Sequence, residues 1–261
     1  MNCLVITGAS AGIGLATARR FLAAGFRVVN ISRRPCPAQG VVQLTADLGD
    51  PASVTAIRAS LDAAVTGATR LVVIHNAARM LSDTAAFTDD AALRAVFEVN
   101  LVAPNTLNGF LLPHMRTANA QSGSAILYVG STLSEKAVPG SFSYVTSKHA
   151  LIGMMRATCQ DLAGTGIHTA CICPGFTDTE MLRDHVWVGM ADAPAVAAGD
   201  LRRAPRVRIE DGAVTLIAPD EEAVLARLAG DRPLTLRGFG LRALGRMLAH
   251  DRFVLLAPLL F

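Results

Sequence analysis

The sequence contains only two lysines, Lys136 and Lys148, among 261 residues, and it has no run of basic side chains. The net charge at pH 7 is +3, and all of this excess lies after residue 200. A protein that binds nucleic acid needs a basic stripe or patch to contact the phosphates. The charge pattern therefore favours a small-molecule ligand and excludes nucleic acid as the expected partner.

Long apolar runs are also absent. No run reaches the roughly 20 residues that a membrane-spanning helix requires. A predicted strand begins almost directly after Met1, which leaves no room for a signal peptide. We therefore expect no membrane span and a cytoplasmic location. A hydrophobic fraction of 51% with 17% charged residues indicates a folded chain with a large buried core.

The sequence also lacks the side-chain spacing of a metal site. Its five cysteines are an odd number at no zinc or disulfide spacing, and no cluster of His, Cys and Asp is placed to bind a metal. We predict no metal. Cys171 and Cys173 share one face of a predicted strand, where packing is favoured over redox chemistry.

Short apolar runs alternate with helical stretches through the first 185 residues. The runs are nearly continuous, which is typical of parallel strands buried on both faces by crossover helices. This pattern predicts a single α/β domain over 1–261, with a doubly wound parallel sheet in a Rossmann-type three-layer αβα sandwich. The predicted strands are 3–7, 27–31, 41–45, 71–74, 125–129 and 167–172, and the predicted helices are 12–24, 51–65, 90–115 and 143–163.

A glycine-rich turn joins the first predicted strand to the first predicted helix. Gly8 permits a tight exit from the strand, Gly12 lets the backbone approach a pyrophosphate, and Gly14 lets the helix pack closely on the sheet. The helix N-terminus offers free N–H groups and partial positive charge to phosphates. The turn therefore predicts a dinucleotide site, to which Ser10 and Ile13 also belong.

The spacing Gly8-x-x-x-Gly12-x-Gly14 resembles that of the short-chain dehydrogenase/reductase family, and the resemblance extends over about residues 2–185. Three later motifs match in order: Asp47-Leu48, His75-Asn76-Ala77-Ala78 and Pro174-Gly175-Phe176-Thr177-Asp178-Thr179. The resemblance implies that the first borders the adenine ring, the second lies beside the adenosine and the third covers the nicotinamide. The second motif departs from the family's Asn-Asn-Ala-Gly at both outer positions. The implied cofactor contacts are Asp47, Leu48, Asn76, Ala77, Pro174, Gly175, Thr177 and Thr179.

Asn100, Ser131, Tyr144 and Lys148 match the four catalytic positions of the same family. Tyr144 and Lys148 fall on one face of a helix, because four residues make slightly more than one turn. A nearby ammonium favours the phenolate, so we expect the pKa of Tyr144 to lie below its free value of about 10. The resemblance implies that Ser131 bonds the substrate oxygen, that Lys148 also bonds the nicotinamide ribose, and that Asn100 seats a water.

Ser32 stands at the end of the second predicted strand, where an acidic residue would bond the adenosine ribose and repel a 2′-phosphate. Arg33 follows, and a guanidinium can pair with phosphate through two parallel hydrogen bonds. This pair favours NADP(H) over NAD(H) as cofactor. Some NADP-binding relatives also have a basic residue inside the glycine turn, where this chain has Ala11. The alternative is that Arg33 and Arg34 are solvated loop charges.

The leading hypothesis is an oxidoreductase that transfers a hydride between NADP(H) and a carbonyl or secondary alcohol, with Tyr144 as general acid and base. Residues 181–188 are rich in apolar side chains and include the only tryptophan, which predicts a substrate lid and an apolar substrate. Two alternatives remain open. One is a reductase of carrier-bound 3-oxoacyl thioesters, and the other is a non-catalytic nucleotide-sensing protein on the same fold.

The resemblance fades beyond about residue 190, so 190–261 is an atypical C-terminal region. Residues 219–228 predict a late helix, but the family's final strand and Gly-Gly ending are absent. Relatives commonly dimerise through two long helices, which here are 90–115 and 143–163. The resemblance therefore implies a homodimer, and we do not expect the tetramer that relatives build through a C-terminal strand.

Overall fold

A computed structural model of the chain describes residues 1–117, 123–175, 177 and 179–181, together with the backbone of 206–210 and 213–217. Its central strands are β1 Asn2–Thr7, β2 Arg27–Ser32, β3 Val41–Thr45, β4 Arg70–His75, β5 Ala125–Val129 and β6 His168–Ile172. All neighbouring pairs are parallel, in the order β3-β2-β1-β4-β5-β6. This order confirms the predicted Rossmann-type sheet.

Helices pack on both faces of the sheet. They are α1 Gly12–Ala23, α2 Pro51–Ala56, α3 Arg58–Val65, α4 Asp90–Phe97, α5 Ala103–Met115 and α6 Phe142–Asp161, with a π-helical turn at Glu98–Val102 and a 3₁₀ turn at Thr132–Ser134. The side chains of successive strand residues point to opposite faces of the sheet, so each apolar strand contributes side chains to two separate hydrophobic cores. Val5, Val73 and Ile126 belong to one buried cluster, and Ile6, Ile74 and Leu127 belong to the other.

The single helix predicted over 90–115 is interrupted at Asn100. Pro104 has no N–H to donate to the carbonyl of Asn100 four residues earlier, so the α-helical pattern cannot continue there. A five-residue π turn fills the interruption, as often happens at functional sites. The turn directs the Asn100 side chain to the backbone of Arg79, whose N–H donates to Oδ1 at 2.7 Å and whose carbonyl accepts from Nδ2 at 3.0 Å.

The described part of the C-terminal region is a two-stranded antiparallel hairpin that the sequence analysis did not predict. It consists of β7 Arg206–Glu210 and β8 Ala213–Ile217. The lid residues after Met181 and the predicted helix over 219–228 lie outside the described residues. Among the helices that the structure describes, none is both long and apolar enough to cross a membrane.

A buried chain of polar groups links the end of β4 to β5 and the helices behind it. The Nε2 atom of His75 lies 2.8 Å from Oδ1 of Asn108, whose Nδ2 donates to the hydroxyl of Tyr128 at 2.8 Å. Because Oδ1 can only accept, the Nε2 atom of His75 donates this hydrogen bond. Burial lowers the pKa of His75 to about 4, against an opposing effect of the hydrogen bond to Asn108.

This histidine makes stability depend on pH. Below pH 6.5 the unfolded chain binds a proton at His75, whereas the folded chain does so only near pH 4, so stability falls as the pH is lowered through this window. Urea unfolding at pH 7 and pH 5 should show that the wild type loses about 2 kcal/mol more than His75→Gln, because other titrating groups are common to both proteins. Equal losses in the two proteins would contradict the assignment.

Candidate active site

The carboxyl ends of β1 and β4 meet where the strand order reverses, which is the place where open α/β sheets bind ligands. The hydroxyl of Thr7 accepts the backbone N–H groups of Asn76 and Ala77, each at 3.0 Å. In return, Nδ2 of Asn76 donates to the carbonyls of Thr7 at 2.9 Å and Gly8 at 3.1 Å. These four bonds hold the glycine turn against the residues that follow β4.

The glycine turn has no room for side chains. Gly8 and Gly12 have φ angles of 72° and 55°, which side chains rarely tolerate. A Cβ on Gly14 would lie 2.3 Å from the carbonyl oxygen of Gly8 and 2.5 Å from Nδ2 of Asn76. A Cβ on Gly12 would lie 3.0 Å from Cγ2 of Thr179. The N-terminus of α1 has no side-chain cap, so its first N–H groups are open to a phosphate.

Asn30 supports the turn from the neighbouring strand, and the sequence analysis missed it. This residue is completely buried in β2, and its Oδ1 accepts the N–H of Ala9 at 2.9 Å. Its Nδ2 donates to the hydroxyl of Ser32 at 2.8 Å and to Oε1 of Gln43 at 2.7 Å. A buried amide in an otherwise apolar strand is the signal that could have identified it, because such a group must be hydrogen-bonded.

The loop after β2 carries the residues predicted to select the cofactor. Ser32 is buried, and its hydroxyl donates to the carbonyl of Arg34 at 2.6 Å. Arg34 pairs with Glu180 at 3.1 Å. The side chain of Arg33 is 76% exposed, and its guanidinium lies 4.0 Å from the carboxylate of Asp47, which is a loose contact. Arg33 is therefore the less restrained of the two arginines.

The four predicted catalytic residues come together at the carboxyl end of β5. Ser131 follows that strand, and its hydroxyl lies within hydrogen-bonding reach of the phenol of Tyr144. Lys148 is 2% exposed; its Nζ donates to the carbonyl of Val129 at 2.7 Å and lies 5.5 Å from the ring centroid of Tyr144. Asn100 reaches the same helix, α6, through a 2.8 Å bond from Nδ2 to the hydroxyl of Ser147.

The acid–base properties of this cluster differ from the sequence-based expectation. Burial raises the pKa of Tyr144, although the hydrogen bond with Ser131 acts to lower it. Burial also lowers the pKa of Lys148 to about 8. The expectation of a lowered phenol pKa counted the ammonium but not the loss of water around both groups. Tyr144 therefore keeps its proton at neutral pH.

Asp83 fixes the start of α6, which carries both Tyr144 and Lys148. The N–H of Ser143 donates to the carboxylate of Asp83 at 3.1 Å, and the N–H of Phe142 donates to its carbonyl at 3.2 Å. A carboxylate here satisfies a free donor and interacts favourably with the helix dipole. The sequence analysis missed Asp83 because the residues it caps lie 60 positions further along the chain.

The remaining predicted cofactor contacts lie in the loops that follow β3 and β6. Asp47 accepts the N–H of Gly49 at 2.9 Å, and Leu48 is buried. Pro174 accepts the N–H of Thr132 at 3.0 Å, which places its segment beside the turn that follows Ser131. The hydroxyl of Thr177 donates to Gly175 at 3.3 Å; Phe176 and Asp178 lie outside the described residues. No metal-binding group of three or more acidic, His or Cys side chains occurs among the residues that the structure describes.

Comparison with known proteins decides the family. The sequence model described as short chain dehydrogenase matches residues 2–186. The chain belongs to the short-chain dehydrogenase family. This short-chain dehydrogenase is 36% identical over 221 residues to Protein FixR of Bradyrhizobium diazoefficiens, with 77% of this chain and 74% of FixR covered. Family membership makes it an oxidoreductase that acts on CH–OH groups and supports a nicotinamide cofactor.

Two solved structures show which cofactors similar proteins hold. 4-Hydroxyisoleucine dehydrogenase in complex with NADH is 26% identical and superposes with a TM-score of 0.63, covering 70% of this chain and 79% of that protein. ElxO with NADP bound is 25% identical with a TM-score of 0.62, covering 72% of this chain and 79% of that protein. Similar proteins thus hold either nicotinamide dinucleotide, and the choice depends on residues particular to each chain.

Gly14→Ala tests the glycine turn. The added Cβ would meet the Gly8 carbonyl, so the turn must shift at a cost of about 1–3 kcal/mol, and the affinities for NADPH and NADH should both fall about tenfold. Nicotinamide fluorescence titration measures both affinities. The control is Gly153→Ala on the exposed face of α6, where nothing lies within 4 Å of the added Cβ. It should bind both dinucleotides as the wild type does, and unchanged binding by Gly14→Ala would contradict the site.

Proposed function

We propose that this protein interconverts a carbonyl compound and a secondary alcohol with NADP(H), using Tyr144 as general acid and base. One observation carries the proposal. Ser131, Tyr144 and Lys148 converge at the carboxyl end of β5, in the sheet whose β1–β4 junction holds the glycine turn. Oxidoreductase membership of the family supports the same reaction class.

The residues present fit a dinucleotide. Neighbouring protein atoms exclude a Cβ at Gly8, Gly12 and Gly14, so the turn presents bare backbone, and the uncapped N-terminus of α1 follows it. When bound, the nicotinamide cofactor supplies or accepts the hydride. The residues proposed to hold it are Gly8, Ser10, Gly12, Ile13, Gly14, Ser32, Arg33, Asp47, Leu48, Asn76, Ala77, Tyr144, Lys148, Pro174, Gly175, Thr177 and Thr179.

The protein's own residues handle the substrate oxygen and its proton. The hydroxyl of Ser131 would orient a carbonyl oxygen towards the phenol of Tyr144, because the two side chains are already within hydrogen-bonding reach. The raised pKa of Tyr144 keeps its phenol protonated, as the donor in a reduction must be. In the oxidation, Tyr144 would first lose its proton to solvent, helped by the buried Lys148 ammonium, which would stabilise the phenolate; the phenolate oxygen would then accept the alcohol proton.

The preference for NADP(H) rests on Ser32 and Arg33. Ser32 offers no carboxylate to repel a 2′-phosphate. The contact between Arg33 and Asp47 is long and exposed, and such pairs contribute only about 0–1 kcal/mol. A phosphate with paired hydrogen bonds can therefore replace it. Arg34, by contrast, is already paired with Glu180 at 3.1 Å.

Arg33→Ala tests the cofactor preference. Loss of a charge-assisted contact of about 1.5–3 kcal/mol should weaken NADPH binding about tenfold or more and leave NADH binding nearly unchanged. Titration of each dinucleotide by nicotinamide fluorescence gives the two dissociation constants. Arg34→Ala is the matched control, with a smaller expected effect on NADPH. Equal affinity of the wild type for NADPH and NADH would contradict the proposal that Arg33 makes the protein prefer NADP(H).

Tyr144→Phe tests the reaction itself. Apolar ketones are the first substrates to screen, since residues 181–188 are predominantly apolar. Removal of the phenol oxygen should lower kcat by about 100-fold or more, because general acid catalysis typically contributes a factor of about 10²–10⁴. The variant should still bind NADPH, because the other proposed cofactor contacts are unchanged. Turnover by Tyr144→Phe at the wild-type rate would contradict the role assigned to Tyr144. A folded wild-type protein that binds neither NADPH nor NADH would contradict the hypothesis that the protein is an enzyme.

We also propose a homodimer, through the helices that relatives use. Leu93, Phe97 and Val102 line a groove on α4 and the π turn, and Val102 is 44% exposed. Leu93 and Phe97 are partly buried, and partly exposed apolar side chains in one groove suit burial against a second copy. Sedimentation velocity at micromolar concentration should give a dimer, and a monomer at all concentrations would exclude this surface as a stable interface.

A further inference from the structure

Cys171 and Cys173 form a thiol pair beside the candidate active site. Their Sγ atoms are 3.9 Å apart at the end of β6. Cys171 is fully buried, whereas Cys173 is partly exposed. Both sulfurs pack against Gly130, where an added Cβ would lie 2.9 Å from each of them. Only glycine at this position leaves room for both thiols to face each other next to Ser131.

The surroundings of the pair give its two members different roles. Hydrogen bonding from the Cys171 thiol, the Ser131 N–H and the Ser134 hydroxyl lowers the pKa of Cys173 to about 7, against the opposing effect of burial. The hydrogen bond to Cys173 and burial raise the pKa of Cys171. Cys173, which is partly exposed, is thus the residue that loses its proton more readily, and the buried Cys171 is the one that retains it. An exposed, stabilised thiolate with a second thiol in contact is the arrangement of a reactive cysteine and its resolving partner.

We propose that hydrogen peroxide converts Cys171 and Cys173 into a reversible disulfide that switches off the site at Ser131. This inference departs from the packing role that the sequence favoured for the two cysteines. The oxidant is small, which suits the partial exposure of Cys173. The modification itself does not depend on the proposed reaction, whereas its effect on turnover does.

The chemistry proceeds in two balanced steps. The Cys173 thiolate attacks one peroxide oxygen, so an S–O bond forms, the O–O bond breaks and hydroxide leaves. The sulfur of Cys171 then attacks that of the Cys173 sulfenic acid, forming the S–S bond and breaking the S–O bond. The leaving hydroxide takes up the thiol proton of Cys171. Both thiols are oxidised, and the peroxide is reduced to water and hydroxide, which a solvent proton converts to water.

Disulfide formation would disturb the catalytic serine through the backbone. The sulfurs must close from 3.9 Å to about 2.0 Å, which moves the end of β6. Gly130 donates its N–H to the carbonyl of Ile172 at 2.7 Å, and Thr132 donates to that of Pro174 at 3.0 Å. These two bonds lie on either side of Ser131. Movement of the cysteine segment is therefore transmitted directly to the hydroxyl that faces Tyr144.

Mass spectrometry of the full chain tests the modification. The reduced, folded protein is treated with about one equivalent of hydrogen peroxide, alkylated and digested with trypsin. The peptide 157–183 should carry one alkyl group, on Cys159, instead of three, and it should be about 2 Da lighter than the same peptide with one alkyl group and two free thiols. Cys171→Ala should stop at a sulfenic acid on Cys173 that dimedone traps, and Cys173→Ser should give neither product.

Controls within the chain make the outcome decisive. Cys159→Ala should still lose about 2 Da from the peptide, because Cys159 is not part of the pair. Circular dichroism confirms that each variant is folded. A wild type that shows no such loss while Cys36 or Cys159 is oxidised would overturn the proposal. The same loss from Cys173→Ser would overturn it equally.

Turnover tests the switch in the same samples. NADPH oxidation with an apolar ketone should fall about tenfold or more in disulfide-bonded wild-type protein and recover in dithiothreitol. Cys159→Ala should follow the wild type. Full turnover by protein shown to contain the disulfide would overturn the switch. If the reduced protein shows no turnover but still forms the disulfide, the proposed reaction is wrong and the proposed thiol oxidation stands.

Discussion

The reciprocal hydrogen bonds between the ends of β1 and β4 are the contacts on which the site depends. Thr7 accepts the N–H groups of Asn76 and Ala77, while the Asn76 side chain donates to the carbonyls of Thr7 and Gly8. Gly14 must lack a side chain because this junction fills the space beside it. Asn30 holds the turn from β2 and Lys148 bonds the end of β5, so the glycine turn and the cluster around Tyr144 are both anchored to the carboxyl edge of one sheet.

Most of the fold could be predicted because parallel strands buried on both faces appear in the sequence as continuous apolar runs. All six strands of the main sheet were predicted to within one or two residues at each end. The π turn was missed because the prediction of one continuous helix did not consider that Pro104 leaves the carbonyl of Asn100 without its usual N–H donor. Asn30 was missed although an amide within an apolar strand signals a buried hydrogen bond. Asp83 was missed because the residue that its carboxylate caps lies 60 positions further along the chain, which local patterns do not reveal.

The acid–base chemistry of the cluster could not be inferred from spacing alone. Four-residue spacing correctly predicts that Tyr144 and Lys148 share a helix face, but the extent of their burial depends on packing between β5, β6 and α6. Burial opposes charge on both side chains, raising one pKa and lowering the other. A phenol that holds its proton next to a serine hydroxyl suits protonation of a carbonyl oxygen, and the nearby thiol pair places a redox-sensitive element against the same serine.

The most direct test of the account is transfer of deuterium from NADPH deuterated at C4 of the nicotinamide to an apolar ketone, with the product analysed by mass spectrometry. Cofactor deuterated on each face of the ring is used in turn. The account predicts one deuterium on the carbinol carbon of the alcohol from one of the two cofactors, and almost none when Tyr144 is replaced by Phe. Tight binding of NADPH with no deuterium transfer to any ketone tested, by folded protein with both thiols reduced, would contradict the proposed reduction.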